Sequence, residues 1–234
     1  MRALLLLLLC CSFPLFAASV KADLGLVELP VAQASSAPMV VFLSGDGGWA
    51  ALDKGLSAEL QRHGMPVVGW SSLSYYWQKK TPAQATRDLV RILDDYQARW
   101  GRQRWLLVGF SFGAEIVPFV INRLPDAYRN SLVGAVMLSP STASDFEIHV
   151  SDMVVHGEAG SYPTQPEVKA IHSLPLLCVQ GTEDDSPVRL CPRLQQTNVR
   201  TVTLPGAHHF DDDYGALFQS IAAHLPLVQG SAAP

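Results

Sequence analysis

The chain is short of charge. Of its 234 residues, 16% are Asp, Glu, Lys or Arg and 48% are hydrophobic. A disordered or coiled-coil chain needs the opposite balance, so both are excluded. Basic runs are scarcer still, Lys79-Lys80 being the longest. With a formal net charge of −4, the chain lacks the row of phosphate contacts that a nucleic-acid grip requires, and no nucleic acid is expected as a partner. There are four cysteines, with no Cys-x-x-Cys and no second cluster at ligand spacing, so no metal is expected. No cofactor is expected either. The length suits one α/β domain better than two.

Long apolar runs are missing everywhere except the start. Met1-Arg2 is a short positive lead, Ala3 to Phe16 is rich in leucine, and small residues follow up to Ala22. This reads as a secretory signal peptide over residues 1–22, cut after Ala22, with Val20 and Ala22 at the −3 and −1 positions. A retained anchor helix is the rival, but the run falls short of the roughly 20 residues that span a bilayer. A lipoprotein cysteine at Cys10 or Cys11 fits less well, because neither follows a small residue. The folded domain is placed at 23–228, with a loose tail over 229–234. Export leaves two cysteines, Cys178 and Cys191. In an oxidising compartment a disulfide between them is the natural reading, and two buried free thiols are the alternative.

Within the domain, strands alternate with helices. Met39–Leu43, Pro66–Trp70, Trp105–Phe110, Leu132–Leu138, Leu174–Gln180 and Val199–Leu204 read as strands, with Leu26–Val31 as an edge strand. Continuous apolar runs of this kind suit strands buried on both faces. Asp53–His63, Phe112–Leu124 (strained by Pro118) and Tyr214–Leu225 read as helices. Thr81-Pro82 opens another as N-cap and N1, and Gly101 closes it. The alternation predicts a doubly wound, mostly parallel sheet.

Gly109-Phe110-Ser111-Phe112-Gly113 sits between a buried strand and a helix. That is the setting of a nucleophile elbow, in which small residues two before and two after the serine relieve a very tight turn. A serine hydroxyl needs a base, and the order on such a fold is serine, acid, histidine. After Leu174–Gln180 comes Gly181-Thr182-Glu183-Asp184-Asp185. Asp184 is the expected acid, with Asp185 as alternative and Glu183 less favoured. After Val199–Leu204 comes Pro205-Gly206-Ala207-His208-His209. His208 is the expected base and His209 its rival. The histidine pair with Asp211–Asp213 would also suit a metal, although those acids more naturally begin the last helix.

An oxyanion hole needs two backbone N–H groups. Phe112 supplies one. The glycine-rich Ser44-Gly45-Asp46-Gly47-Gly48 supplies the other at Asp46. A carboxylate there would repel an oxyanion unless it faced a cation, which points to a positively charged group on the substrate.

Leu43-Ser-Gly-Asp-Gly-Gly-Trp49, Asp53-Lys-Gly55, Tyr75-Tyr-Trp77 through Lys80-Thr-Pro82, Gly109-Phe-Ser-Phe-Gly-Ala-Glu115, Asn122-Arg-Leu-Pro125, Glu183-Asp-Asp-Ser186, Cys191-Pro192 and Pro205-Gly-Ala-His-His-Phe210 together resemble the VirJ/AcvB family of bacterial virulence-associated proteins. The likeness covers nearly the whole chain after residue 22 and is closest to the short VirJ-type form. It departs at Ala207, where the family pattern suggests Gly, and at Glu115, where it suggests Asp. The resemblance implies a compact α/β-hydrolase fold with no large lid domain, a periplasmic location, and hydrolysis of the lysyl or alanyl ester of aminoacyl-phosphatidylglycerol. The implied partners are a phospholipid at the membrane surface and, less directly, secretion-system proteins. Tyr76, Trp77 and Lys80 are candidates for lipid contact. The tyrosines and tryptophan either dip into the headgroup layer or pack over the pocket. Lys79 and Lys80 either meet the lipid phosphate or stay in solvated charge pairs. A general periplasmic esterase or lipase, or a non-catalytic adaptor on the same fold, are the competing functions. The oligomeric state is not legible.

Overall fold

In a computed structural model of the protein, residues 19–32, 35–148 and 160–227 are described. Most of the expected signal peptide and the expected tail at 229–234 lie outside them. The chain enters through a short helix, α1 (Val20–Leu24), capped by Ser19. This helix crosses the expected cleavage point.

The apolar runs form the sheet. β1 (Leu26–Leu29), β2 (Met39–Leu43), β3 (Val67–Trp70), β4 (Trp105–Phe110), β5 (Leu132–Leu138), β8 (Leu176–Gly181) and β9 (Val199–Leu204) join in the order β1-β3-β2-β4-β5-β8-β9. Only β1 is antiparallel. The first strand ends before Pro30, which cannot donate to a ladder. β8 begins two residues later than the run suggests. Before it, Pro175 offers only its carbonyl, which accepts from Ala135 N–H.

Alternate residues of one strand feed different cores, which is why the runs are apolar throughout. Met39, Val41 and Leu43 face a core shared with α4 (Pro82–Trp100) and α5 (Phe112–Arg123). Val40 and Phe42 face a second core shared with α2 (Ala51–Arg62) and α8 (Tyr214–His224). α4 starts at a capping box: Gln84 N–H donates to Thr81 Oγ1 (3.2 Å) and Thr81 N–H to Gln84 Oε1 (2.8 Å). It stops at Gly101, whose φ of 63° glycine adopts without steric cost. Pro118 is buried inside α5, yet the helix runs on to Arg123.

Four short elements carry no strong sequence pattern: α3 (Ser72–Tyr75), α6 (Asp126–Ser131), α7 (Thr164–Lys169) and a hairpin of β6 (Ala143–Ser144) with β7 (Tyr162–Pro163). Among the described residues, the segment between β5 and β8 contains only this hairpin and α7, not a separate lid domain.

Cys178 and Cys191 form a disulfide that joins β8 to a single turn of 3-10 helix at Cys191–Arg193. Both residues are fully buried. The bridge closes a loop with a sequence separation of 13 around Asp184. In the chain-entropy model this stabilises by roughly 3 kcal/mol. Cys191→Ser is expected to lower both the melting temperature and turnover, because the acid's loop loses its tether. Thermal melts with and without reductant, together with thiol titration of the unfolded, unreduced protein, check this. Two reactive thiols per chain would reject the bridge.

Candidate active site

Ser111 stands between β4 and α5 with φ 51° and ψ −119°. A non-glycine residue held there costs about 1–3 kcal/mol, which the surrounding packing must offset. The two flanking glycines show why the turn exists. A Cβ on Gly109 would lie 2.5 Å from Gly113 O, and one on Gly113 would lie 2.4 Å from Leu43 O. The elbow is thus pressed against its own helix and against the end of β2. Ser111 N–H is anchored to Leu138 O (2.8 Å).

His208 reaches this serine from the loop after β9. Its Nε2 lies 3.0 Å from Ser111 Oγ, and its Nδ1 lies 3.4 Å from Asp184 Oδ2. The second contact is long for a hydrogen bond, but its direction orients the ring. Of the three consecutive acids after β8, only Asp184 is buried, at 7% exposure, while Glu183 and Asp185 face solvent. His209 is exposed, its ring packs edge-on to that of Phe110, and no hydrogen bond joins it to Ser111 among the described residues. The alternatives left open by the sequence are therefore separated by which side chains converge. Burial holds the His208 imidazole below its ordinary value, and the Asp184 carboxylate opposes this only in part. The ring is neutral near pH 7 and able to accept a proton.

Four supporting hydrogen bonds were not legible in the sequence. Gln180, at the end of β8, donates its amide to Asp184 Oδ2, while Ser186 N–H donates to Oδ1 (3.1 Å). Arg189 donates to the Asp184 carbonyl. Ser139, at φ 47°, donates its hydroxyl to the His208 carbonyl (3.2 Å). A glutamine four residues before an acid, or a serine just after a strand, is too common a pattern to single out.

The loop after β2 lies beside the nucleophile: a Cβ on Gly45 would be 3.5 Å from Ser111 Cβ. Asp46 accepts Gly47 N–H at 2.9 Å through Oδ1. The backbone N–H groups of Asp46 and Phe112 have no hydrogen-bond acceptor among the described residues. Asp53 fixes where α2 begins by accepting Ala50 N–H (2.9 Å). Burial raises its carboxyl to about 6.

The aromatic segment corrects one expectation. Tyr76 is 1% exposed and packs edge-on to Phe112 and Phe146, so it cannot enter a headgroup layer. It packs beneath the site, and Tyr75 is buried beside it. Trp77 alone is open to solvent, at 55%. Lys80 places Nζ 5.0 Å from the Tyr75 ring centroid, and Lys79 lies 3.9 Å from Glu147.

A strained serine on an elbow, a neutral histidine against it and a buried aspartate behind the histidine, all at the C-terminal ends of parallel strands, define an α/β-hydrolase fold. Solved structures agree on the fold. A proline iminopeptidase from Mycobacterium smegmatis matches with a TM-score of 0.58 at 14% identity, over 85% of this chain and 94% of that one. Est1E from Butyrivibrio proteoclasticus matches at 0.59 and 15%, over 85% and 90%. A lidless α/β serine hydrolase from Xanthomonas campestris matches at 0.55 and 17%, over 86% and 89%. A search of curated proteins found no match. The model of the bacterial virulence protein family VirJ matches residues 37–227, and the chain belongs to that family.

Proposed function

We propose that the protein is a serine hydrolase that removes the amino acid from aminoacyl-phosphatidylglycerol, in the lysyl or alanyl form, on the periplasmic side of the membrane. The observation that carries the hydrolase reading is the 3.0 Å contact between His208 Nε2 and Ser111 Oγ, with Asp184 behind the ring. In this reading Ser111 Oγ attacks the ester carbonyl as His208 Nε2 takes its proton. The carbonyl oxygen becomes an oxyanion and accepts from the Phe112 and Asp46 N–H groups. His208 returns the proton to the departing glycerol oxygen, leaving the aminoacyl group on Ser111. Water then attacks that ester as His208 takes its proton, and His208 passes the proton to Ser111 Oγ as the bond to the amino acid breaks. Asp184 holds the imidazole with its Nδ1 proton inward.

The substrate class follows from charge. Asp46 brings a carboxylate to the oxyanion loop, where a neutral acyl ester offers it no partner and the α-ammonium of an aminoacyl ester does. Exposed Trp77 with Lys79 and Lys80 offers an aromatic and cationic edge for the lipid headgroup. Family membership supports the same reading through the implied activity. The test incubates purified protein with lysyl-, alanyl- and unmodified phosphatidylglycerol and measures released amino acid. No release from either aminoacyl lipid, with turnover of a neutral nitrophenyl ester, would favour a general esterase. No turnover of any ester would favour an adaptor that binds secretion-system proteins.

Asp46 gives a separate prediction. Asp46→Asn is expected to reduce kcat/KM on an aminoacyl lipid more than on nitrophenyl acetate, by about tenfold in the ratio, the scale of one hydrogen bond to a charged group. Equal losses on both substrates would assign the carboxylate to loop structure through Gly47.

A further inference from the structure

β5 lends no side chain to the triad, yet its C-terminal end is bonded to the elbow, to β8 and to the histidine loop. The strand lies between β4, which leads to Ser111, and β8, which leads to Asp184. Three hydrogen bonds leave the junction of Leu138 and Ser139. Leu138 O accepts Ser111 N–H at 2.8 Å. Ser139 N–H donates to Val179 O at 2.8 Å, one residue before Gln180, whose amide holds Asp184 Oδ2. The Ser139 hydroxyl donates to His208 O at 3.2 Å. Among the described residues no other hydrogen bond reaches the His208 backbone. Gly206 and Ala207 are pressed against the end of β8 at Gly181, which fixes the loop up to the histidine. The His208 side chain is 39% exposed, so packing alone does not hold the ring. His208 itself is tied by one hydroxyl, and that hydroxyl comes from β5.

Serine is an awkward residue for this place. Ser139 has a φ of 47° and is 2% exposed. A Cβ makes a positive φ unfavourable, whereas glycine adopts it freely. Gly206 does so on the facing loop, at φ 91°. On backbone grounds alone, glycine would suit position 139 better. What glycine lacks is the hydroxyl, and the bond to His208 O is the one hydrogen bond that this hydroxyl makes among the described residues. Strain that the surrounding structure holds in place points to a role for the group that requires it.

We propose that Ser139 is a positioning residue for the general base: its hydroxyl fixes the His208 main chain, and through it the reach of Nε2 to Ser111 Oγ. The inference rests on the serine-hydrolase reading for the reaction and is independent of the lipid. A reacting group displaced by about 1 Å can lose on the order of a hundredfold in rate. Loss of the Ser139 hydroxyl leaves the loop anchored at Gly206 and Ala207, so the ring is misplaced for only part of the time and the expected loss is smaller.

The experiment compares Ser139→Gly and Ser139→Ala with wild type on thermal melting and on the reactivity of Ser111. Reactivity is read as kcat and KM on nitrophenyl acetate, and as the rate at which an alkyl fluorophosphonate labels Ser111. In the labelling step Ser111 Oγ displaces fluoride from phosphorus as His208 takes the hydroxyl proton. Both variants lose the hydroxyl, and only Ser139→Gly also loses the strain. Ser139→Gly is therefore expected to melt at a higher temperature than Ser139→Ala. Both are expected to lose about threefold to tenfold in kcat and in labelling rate, the scale of one neutral hydrogen bond. KM is expected to stay unchanged, because the bond that is lost goes to His208. A residue that only stabilised the fold would give a different order, with Ser139→Gly more reactive than Ser139→Ala in step with its melting. That order overturns the proposal, and so does wild-type kcat and labelling in folded Ser139→Gly. If Ser139→Ala does not fold, the split between kcat and KM in Ser139→Gly carries the test. A wild-type protein that neither labels nor turns over any ester loses the hydrolase reading and this inference with it. Labelling of all three proteins at one rate overturns this inference alone. A protein inert towards aminoacyl lipids that still shows the Ser139-dependent loss keeps this inference and loses the lipid reading.

Discussion

Ser111→Ala is expected to leave a folded protein that turns over at least about a thousandfold more slowly than wild type. The magnitude follows from the chemistry. Alanine removes the oxygen that lies 3.0 Å from His208 Nε2 and that carries the acyl group in the proposed mechanism. The oxyanion donors and the binding surface remain, so a residual rate over water persists. The substitution should not unfold the chain. The Ser111 side chain makes no capping bond to α5, and its backbone N–H still reaches Leu138 O. Circular dichroism and thermal melts beside ester turnover check both halves. Wild-type turnover by a folded Ser111→Ala protein would rule out a serine mechanism.

Asp184→Asn is expected to cost about a thousandfold to ten-thousandfold in kcat, with Asp185→Asn much milder. The neighbours differ by one position and present opposite environments. Asp184 is buried and receives Gln180, Ser186 N–H and the His208 ring. Asp185 is exposed. An asparagine at 184 offers its amide N–H or its carbonyl to a ring that needs an acceptor, so it favours the wrong tautomer part of the time. It also removes the negative charge that stabilises the imidazolium formed during attack. Turnover of both variants on one ester, normalised to folded protein, gives the comparison. The reverse ranking would move the acid to Asp185.

The strands that face two cores were legible because nothing polar interrupts them. Met39–Leu43, Trp105–Phe110 and Leu132–Leu138 have the observed bounds. β9 was legible for a different reason. Its residues are only half-buried or exposed, but its β-branched residues stand out between Asn198 and Pro205. The elbow, the acid loop and the histidine loop were legible because each follows a strand in an order the fold imposes. Tyr76 was not. The sequence shows three adjacent aromatics, while the backbone turn at α3 alone decides that two point inward and Trp77 outward. The hairpin of β6 and β7 is too short for any periodicity to reveal.

Gly181 has one further consequence. A side chain there would collide with Ala207 O at 2.1 Å and Gly206 O at 2.5 Å, so the ends of β8 and the histidine loop touch backbone to backbone. Thr182 N–H donates to Leu204 O (2.8 Å) and Glu183 N–H to Gly206 O (2.9 Å). Asp184 and His208 are therefore carried on what is mechanically one piece. Loops usually exchange their amide protons quickly. Here the amides of Thr182 and Glu183 should exchange with deuterium as slowly as those of the central strands. Gly181→Ala should speed both together, since prising the two loops apart releases them as a unit. The order of the site would then be a property of the resting protein, present before any ligand arrives.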